Sequence, residues 1–171
     1  YRQKLVSYSP NKRFLEILQP VPAWTAILIF IFCSVLLILA GASKILNLAF
    51  PVGSVIVGIF LYFKTPLLYT GFTWWLWFLT PLVRRIADYY GGFTQLSPIL
   101  LTPILVTLIS GLTLQRNLAK LRLNNIFPFL LCLAGLIYGL LVGLIYRNPL
   151  EVILAFLEWL SPVLFSCHLF L

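Results

Sequence analysis

The sequence predicts an all-α fold, a polytopic transmembrane helical bundle of five to six spans. Hydrophobic residues make up 61% of the chain and charged residues only 9%, whereas about a quarter of the residues in soluble domains are charged. The apolar runs between the charges are about 20 residues long, the length that crosses roughly 30 Å of hydrocarbon. Even alternation of apolar and polar residues, the mark of a membrane barrel, is absent. A soluble globule and a disordered chain are both excluded.

Charged residues divide the 171-residue chain into two regions. A basic cytoplasmic N-terminal segment covers residues 1–21 and carries no signal-peptide cleavage site. The transmembrane region covers residues 22–171. Because a lipid-exposed backbone must satisfy its own hydrogen bonds, each apolar run is predicted to be a helix. The predicted spans are 22–43, 45–63, 66–83, 98–115, 123–146 and 150–171.

Turn and capping residues separate these spans. Lys44 and Lys64 bound the second span, and a polar segment with a Gly91-Gly92 turn signal follows the third. Asn148 begins the pattern Asn-Pro-Leu-Glu, in which Asn caps a helix, Pro occupies its first turn and Glu follows three residues after the cap. This pattern predicts the start of the last helix.

Basic residues predict the orientation, since cytoplasmic loops carry the larger share of Lys and Arg. With the N-terminus inside, four basic residues lie outside: Lys44, Arg84, Arg85 and Arg147. Eight lie inside: Arg2, Lys4, Lys12, Arg13, Lys64, Arg116, Lys120 and Arg122. We therefore predict a multi-pass protein of the inner (plasma) or thylakoid membrane with a cytoplasmic N-terminus.

The net charge of +8 comes from scattered residues rather than one basic surface, so no nucleic-acid partner is predicted. An excess of basic residues suits anionic lipid headgroups or a lipid-phosphate substrate. No CxxC, HExxH, P-loop or GxSxG motif is present, and we predict no metal and no cofactor. The expected partners are membrane lipids and other membrane subunits.

Arg84, Arg85 and Asp88 form the most specific polar cluster. Arg84 and Asp88 are four residues apart and pair if the helix continues through them. Arg85 then faces elsewhere and is a candidate to hold a phosphate, because guanidinium groups bind phosphate in a bidentate way. The competing interpretation is snorkelling, in which basic side chains at the end of a span reach the headgroups without a specific ligand.

Tryptophans, one acidic residue and three glycines are the other candidates. Trp74, Trp75 and Trp77 are lipid-groove candidates, with an interfacial belt or packing as the alternative. Glu158 is an intramembrane acid that faces either the headgroups or the bundle interior, with Arg147 or Arg116 as its partner. The three glycines at positions 135, 139 and 143 share one helix face and predict close helix packing.

His168 is the only histidine. A lone histidine is suited to ligating a cofactor or to acting as a base. No second ligand or acid lies at a useful helical spacing, because Glu158 is ten residues away and roughly 80° around the helix. A packed or hydrogen-bonded role near a helix end is therefore favoured.

Two motifs carry a resemblance to a known family. Residues 74–89 read WWLWFLTPLVRRIADY and residues 97–103 read SPILLTP. Together with the closing segment 159–169, they resemble the N-terminal half of bacterial O-antigen ligase-like and polysaccharide polymerase-like membrane proteins. The resemblance implies a longer chain that transfers undecaprenyl-linked glycans on the outer face of the inner membrane without a metal or nucleotide. It carries over the Arg84-Arg85-Asp88 motif, as the candidate site for the lipid pyrophosphate of a polyprenyl-linked glycan, and no catalytic base.

Two other functions compete with this one. The glycine face and the aromatic content suit a non-catalytic helical subunit of a larger photosynthetic or respiratory complex. Intramembrane prolines and Glu158 suit a transporter or flippase. The chain starts at Tyr1, contains no methionine and stops inside an apolar run. We therefore expect a longer native protein, with any catalytic half outside this chain.

Overall fold

The computed structural model describes residues 21–93, 97–117 and 123–170, and within them every regular element is helical. Nearly all of the predicted basic segment 1–21 lies outside the described residues. In chain order the elements are α1 (Val21–Leu39), α2 (Ser43–Lys64), α3 (Pro66–Gly91), a 3-10 helix (Pro98–Leu101), α4 (Thr102–Leu108), α5 (Gly111–Asn117), α6 (Leu123–Tyr146) and α7 (Pro149–Phe170).

Five stretches of the described chain are long and apolar enough to cross a membrane, which confirms the predicted multi-span helical class. They are Val21–Leu39, Ser43–Lys64, Pro98–Arg116, Phe127–Tyr146 and Pro149–Phe170. Helix α3, which contains the predicted third span, is not among them. Its many Trp, Tyr and Thr residues lower its mean hydropathy below that of the other five.

Helix α3 nevertheless has the length and the internal bonding of a membrane helix. Its 26 residues extend about 39 Å. The hydroxyls of Thr70, Thr73 and Thr80 each donate to the backbone carbonyl four residues earlier, at 3.1, 2.9 and 2.7 Å. These polar groups therefore need no water. The third span remains a prediction, compatible with this geometry.

Helix α1 ends at Leu39, four residues before the predicted boundary at residue 43. Gly41 adopts a positive φ of 63°, which glycine accepts at no steric cost. The Ala42 amide donates to the Leu37 carbonyl at 3.1 Å, and the Gly41 amide donates to the Ile38 carbonyl at 3.0 Å. This pair of bonds is a Schellman motif, which satisfies carbonyls at the helix end and stops the helix.

The third predicted span differs from the helix that contains it. Helix α3 runs to Gly91 rather than ending at residue 83, and it stops where Gly92 adopts a φ of 83°.

The fourth span, predicted over 98–115, corresponds to the described stretch Pro98–Arg116. Within this stretch the 3-10 helix, α4 and α5 follow one another, and amides at the turn of Ile109 and Ser110 donate to carbonyls three residues earlier. Pro98 and Pro103 lie at the starts of the 3-10 helix and of α4, where a missing amide proton costs no hydrogen bond.

Helices α1, α2 and α3 pack together around the main core, and α4 packs against both α2 and α3. Helix α7 packs against α4 and α5, and α6 packs chiefly against α7. No residue of the apolar stretch in α6 is buried. The chain therefore forms a compact group of helices with an α6–α7 hairpin at its side.

Contacts between helices show which ends lie together. The Arg116 guanidinium lies 5.2 Å from the Phe63 ring, which brings the end of α5 to the end of α2. At the opposite end, Ser43 at the start of α2 contacts Gly91 at the end of α3. We name these the Lys64 end and the Arg84 end.

The predicted charge partition agrees with this arrangement for the described residues. Lys64 and Arg116 lie at the Lys64 end, whereas Lys44, Arg84, Arg85 and Arg147 lie at the Arg84 end. The other basic residues assigned to the inside, Arg2, Lys4, Lys12, Arg13, Lys120 and Arg122, lie outside the described residues. Which end faces the cytoplasm remains a prediction.

The glycine face of α6 has its partner within this chain. Gly135, Gly139 and Gly143 face α7 across a cavity of about 300 Å³. A Cβ atom at Gly143 would lie 2.8 Å from Val152 Cγ1, whereas one at Gly139 would meet nothing within 4 Å. Only Gly143 of the three is required for the close approach.

We predict that Gly143→Ala destabilises the α6–α7 hairpin by about 1 kcal/mol relative to Gly139→Ala, because the added methyl overpacks against β-branched Val152. Thermal unfolding in detergent measures the difference. The double variant Gly143→Ala with Val152→Ala should recover the lost stability. Equal melting temperatures for the two single variants would contradict this contact.

Candidate functional site

The predicted Arg84–Asp88 pair forms, because α3 continues through both residues. Arg84 Nε lies 3.5 Å from Asp88 Oδ2, and both side chains are about one-fifth exposed. The Arg84 guanidinium also lies 5.8 Å from the Phe93 ring centre, within the range of a cation–π contact. Arg84 is therefore held in place by neighbours on both sides.

Arg85 is exposed, and no described residue forms an ion pair with it. It continues a line of exposed apolar side chains on α3, formed by Trp74, Phe78 and Leu82, which we call the exposed stripe. These four residues fall within an arc of about 80° on the helix, and Arg85 lies about 16 Å along the axis from Trp74. The stripe therefore carries a cationic group at the Arg84 end.

The three tryptophans do not line one groove, because consecutive helical residues point about 100° apart. Trp74 belongs to the exposed stripe, where its ring stacks on Phe78 with centres 6.3 Å apart. Trp75 lies beside Phe72 in a shallow space between α1 and α3. Trp77 faces α4, and its indole N–H donates to Thr107 Oγ1 at 3.2 Å.

A cavity of about 350 Å³ lies between α3, residues 97–104 and α7, and we call it the Glu158 cavity. Its walls are mainly Leu, Ile and Pro side chains, with one carboxylate and one indole ring. Its polar or aromatic lining residues are Trp77, Thr80, Ser97 and Glu158. The volume falls within the range of small-molecule sites in proteins.

Glu158 lies on the face of α7 that packs into the bundle. It shares this face with Leu154, Ser161 and Phe165, of which the last two are buried. The Glu158 residue is exposed, so the Glu158 cavity opens to the surroundings of the bundle. Among the described residues neither Arg147 nor Arg116 forms an ion pair with it. Glu158 therefore lies at the edge of the packed face, where it lines the cavity at its opening.

The capping pattern predicted for the last helix is present at its first residue. The Leu150 amide donates to Asn148 Oδ1 at 3.1 Å, and α7 begins at Pro149. Glu158 is nine residues further along, about 14 Å from this helix start. It therefore lies close to the middle of a 22-residue membrane helix.

His168 is hydrogen-bonded near the Lys64 end, as favoured from the sequence. Its Nδ1 lies 2.6 Å from Thr113 Oγ1, which lies 2.9 Å from the Tyr62 hydroxyl. The rings of Tyr62 and Tyr69 have their centres 5.8 and 5.5 Å from the imidazole. We call these four residues the His168 cluster, and it joins α2, α3, α5 and α7.

Sequence reasoning missed three members of this cluster. Tyr62, Tyr69 and Thr113 are far apart in the sequence and carry no motif. Tyrosines near the ends of α2 and α3 were the only signal, and that signal equally suits an interfacial position. Tyr69 also donates to the Val106 carbonyl at 2.7 Å, close to the turn between α4 and α5.

Comparison of the chain with protein-family models, with curated proteins and with solved structures finds no match.

We predict that Thr113→Val lowers the free energy of unfolding by about 1 kcal/mol, the usual scale for hydrogen bonds between membrane helices. The isosteric change removes the link from Tyr62 to His168. Thr70→Val is the matched control, because the Thr70 hydroxyl bonds only within its own helix. Unfolding in detergent that shows equal stability for both variants would contradict a linking role for Thr113.

Proposed function

We propose that this integral membrane protein binds a polyprenyl-type lipid phosphate, with the phosphate on Arg85 and the apolar chain along the exposed stripe. Five described stretches that are long and apolar enough to cross a membrane support the membrane location in this proposal. The observation that carries the proposal is the position of Arg85 at the end of a line of exposed aromatic and aliphatic side chains. A phosphate and a hydrocarbon chain in one molecule match these two chemistries.

The two arginines have different surroundings, and this difference supports the proposal. Arg84 is held by Asp88 and Phe93, so its side chain is committed to contacts within the protein. Arg85 points to a different side of α3 and is exposed. A guanidinium in that position is able to offer two parallel N–H donors to a phosphate. In the proposal Arg84 therefore has a structural role, and Arg85 binds the phosphate.

The finer form of the proposal is a role in cell-envelope polysaccharide assembly, in a ligase or polymerase that transfers an undecaprenyl-linked glycan. Its support is the resemblance of residues 74–89, the segment that contains Arg85 and the exposed stripe. Positive charge next to a leaving pyrophosphate stabilises the negative charge that develops there. The lipid-binding step and the glycan-transfer step are separable in experiments.

Replacing Arg85 with Ala should weaken binding of undecaprenyl phosphate about tenfold or more, because the charge-assisted hydrogen bonds to the phosphate are lost. Binding is measured on purified protein in nanodiscs of zwitterionic lipid. Arg147→Ala is the matched control, since Arg147 is also exposed at the Arg84 end. An equal loss in both variants would indicate general attraction of anionic lipid to basic residues.

For the transfer step, the double variant Arg84→Ala with Arg85→Ala should abolish glycan transfer by the protein as the cell produces it, while membrane insertion is retained. Glycan ligation or chain length in cells is the readout, with Arg147→Ala as control. Normal transfer by the double variant rules out a glycan-transfer role for this motif. If the double variant transfers glycan normally but Arg85→Ala loses lipid binding, lipid recognition is the only role that remains for the motif.

Transport is the second candidate, favoured by a carboxylate near the middle of α7 beside a stretch built from short helical pieces. Transporters build midplane sites from discontinuous helices. The stretch Pro98–Arg116 consists of the 3-10 helix, α4 and α5, and Glu158 lines the cavity beside the first two. Movement of the lipid phosphate across vesicles containing this protein, blocked by Glu158→Gln, would favour transport over transfer.

A further inference from the structure

The Glu158 cavity combines a single carboxylate with apolar walls, a combination that the proposed lipid-phosphate site does not use. Leu100, Leu101, Ile104 and Leu154 contribute hydrocarbon to its walls. A carboxylate in hydrocarbon is costly unless a partner offsets its charge, and intramembrane acids usually mark a functional site. Among the described residues no basic group forms an ion pair with Glu158. The partner is therefore expected to come from outside this part of the chain.

The other polar groups of the cavity are already engaged. The Thr80 hydroxyl donates to the Leu76 carbonyl at 2.7 Å. The Ser97 hydroxyl donates to Asn47 Oδ1 at 3.1 Å. Arg84, one helical turn beyond Thr80 on α3, is paired with Asp88. The carboxylate of Glu158 is consequently the dominant polar feature that an occupant would meet.

Trp77 supplies a second group that attracts cations. The indole ring is the best of the aromatic side chains for cation–π contact. Its N–H bond to Thr107 fixes the ring, and Thr107 is itself buried and bonded to the Pro103 carbonyl at 2.6 Å. The ring is thus oriented before any ligand arrives, which lowers the entropy cost of binding.

We propose that the Glu158 cavity is a binding site for a small amphiphilic organic cation, with its ammonium group at Glu158 and Trp77 and its apolar body against the leucine and proline walls. This site is separate from the exposed stripe and from the phosphate site at Arg85. The negative charge of Glu158 calls for a positively charged ligand, and the hydrocarbon walls call for an apolar body. The cavity volume of about 350 Å³ sets its size.

Two other occupants fit the chemistry less well. A hard metal cation such as Ca²⁺ takes about six to eight oxygen ligands, whereas the walls consist mainly of hydrocarbon. An acyl or prenyl chain would match the walls but would leave the carboxylate unpaired against hydrocarbon. An organic ammonium satisfies both the carboxylate and the walls.

The test compares two probes of the same shape on the purified protein in an uncharged maltoside detergent. Benzyltrimethylammonium is the cation, and neopentylbenzene is its analogue with carbon in place of nitrogen. The wild-type protein should bind the cation about tenfold or more tightly than the neutral analogue. Equal affinities for the two probes would overturn the proposal without any variant.

Variants locate the site. Glu158→Gln should lower the affinity for the cation about tenfold or more and leave that for the neutral probe unchanged. Trp77→Phe should lower the cation affinity about twofold to fivefold. Glu151→Gln is the matched control, since Glu151 lies on the same helix but does not line the cavity. This variant should bind the cation as tightly as the wild-type protein does. An equal loss in both glutamate variants would overturn the proposal.

A labelling experiment on the wild-type chain keeps the test decisive if Glu158→Gln fails to fold. Dicyclohexylcarbodiimide modifies carboxyl groups in apolar surroundings, and mass spectrometry of the peptides reports the modified residue. Saturating benzyltrimethylammonium should protect Glu158 from modification. Neopentylbenzene at the same concentration in the detergent micelles should not protect it. Unchanged labelling of Glu158 in the presence of the cation would show that the cation binds elsewhere.

Discussion

Close packing around α3 is the interaction on which the rest of the described bundle depends. In a membrane, helices gain little from leaving lipid, because lipid tails are as apolar as leucine, so packing and interhelical hydrogen bonds must supply the stability. Helix α3 meets this requirement with buried Tyr69, Phe72, Thr73 and Leu76 against α1, α2 and α4. Its threonines bond within the helix and leave their methyl groups for packing. The exposed stripe and the wall of the Glu158 cavity are the two remaining sides of the same helix.

Hydrogen bonds explain how the stretch Pro98–Arg116 tightens at Ile109 and Ser110 inside the bundle without losing backbone partners. The Val106 and Thr107 carbonyls accept from the amides of Ile109 and Ser110, three residues later. They also accept from the hydroxyls of Tyr69 and Ser110, at 2.7 and 2.6 Å. Irregular backbone at membrane depth is tolerated only where protein or a cavity supplies such partners. The short helix α4 therefore reaches both α3 and α7 and leaves room for the Glu158 cavity between them.

Sequence reasoning predicted the class of fold and most helix locations, because charge-free runs of sufficient length are a one-dimensional signal. It ended the third span at residue 83, because the charges of Arg84 and Arg85 begin a polar segment, whereas the helix itself continues to Gly91. It located the fourth span but not the turn at Ile109 and Ser110, because the Tyr69 hydroxyl that bonds beside this turn lies far away in the sequence. The Glu158 cavity was equally out of reach, since its walls come from three separated segments whose packing no local pattern encodes.

The composition of α3 has a consequence for how the protein enters its membrane. Bulky aromatic and hydroxyl residues suit this helix to a packed centre but make it the least apolar of the long helices, and so the weakest candidate to partition into lipid alone. Only Thr65 separates it from the strongly apolar α2, and the Tyr69 amide donates back to the Thr65 carbonyl at 3.0 Å. We expect α2 and α3 to insert as one hairpin during synthesis, so that insertion of the apolar α2 brings α3 into the membrane with it. The central helix of the folded protein is then the helix whose insertion depends most on its neighbour.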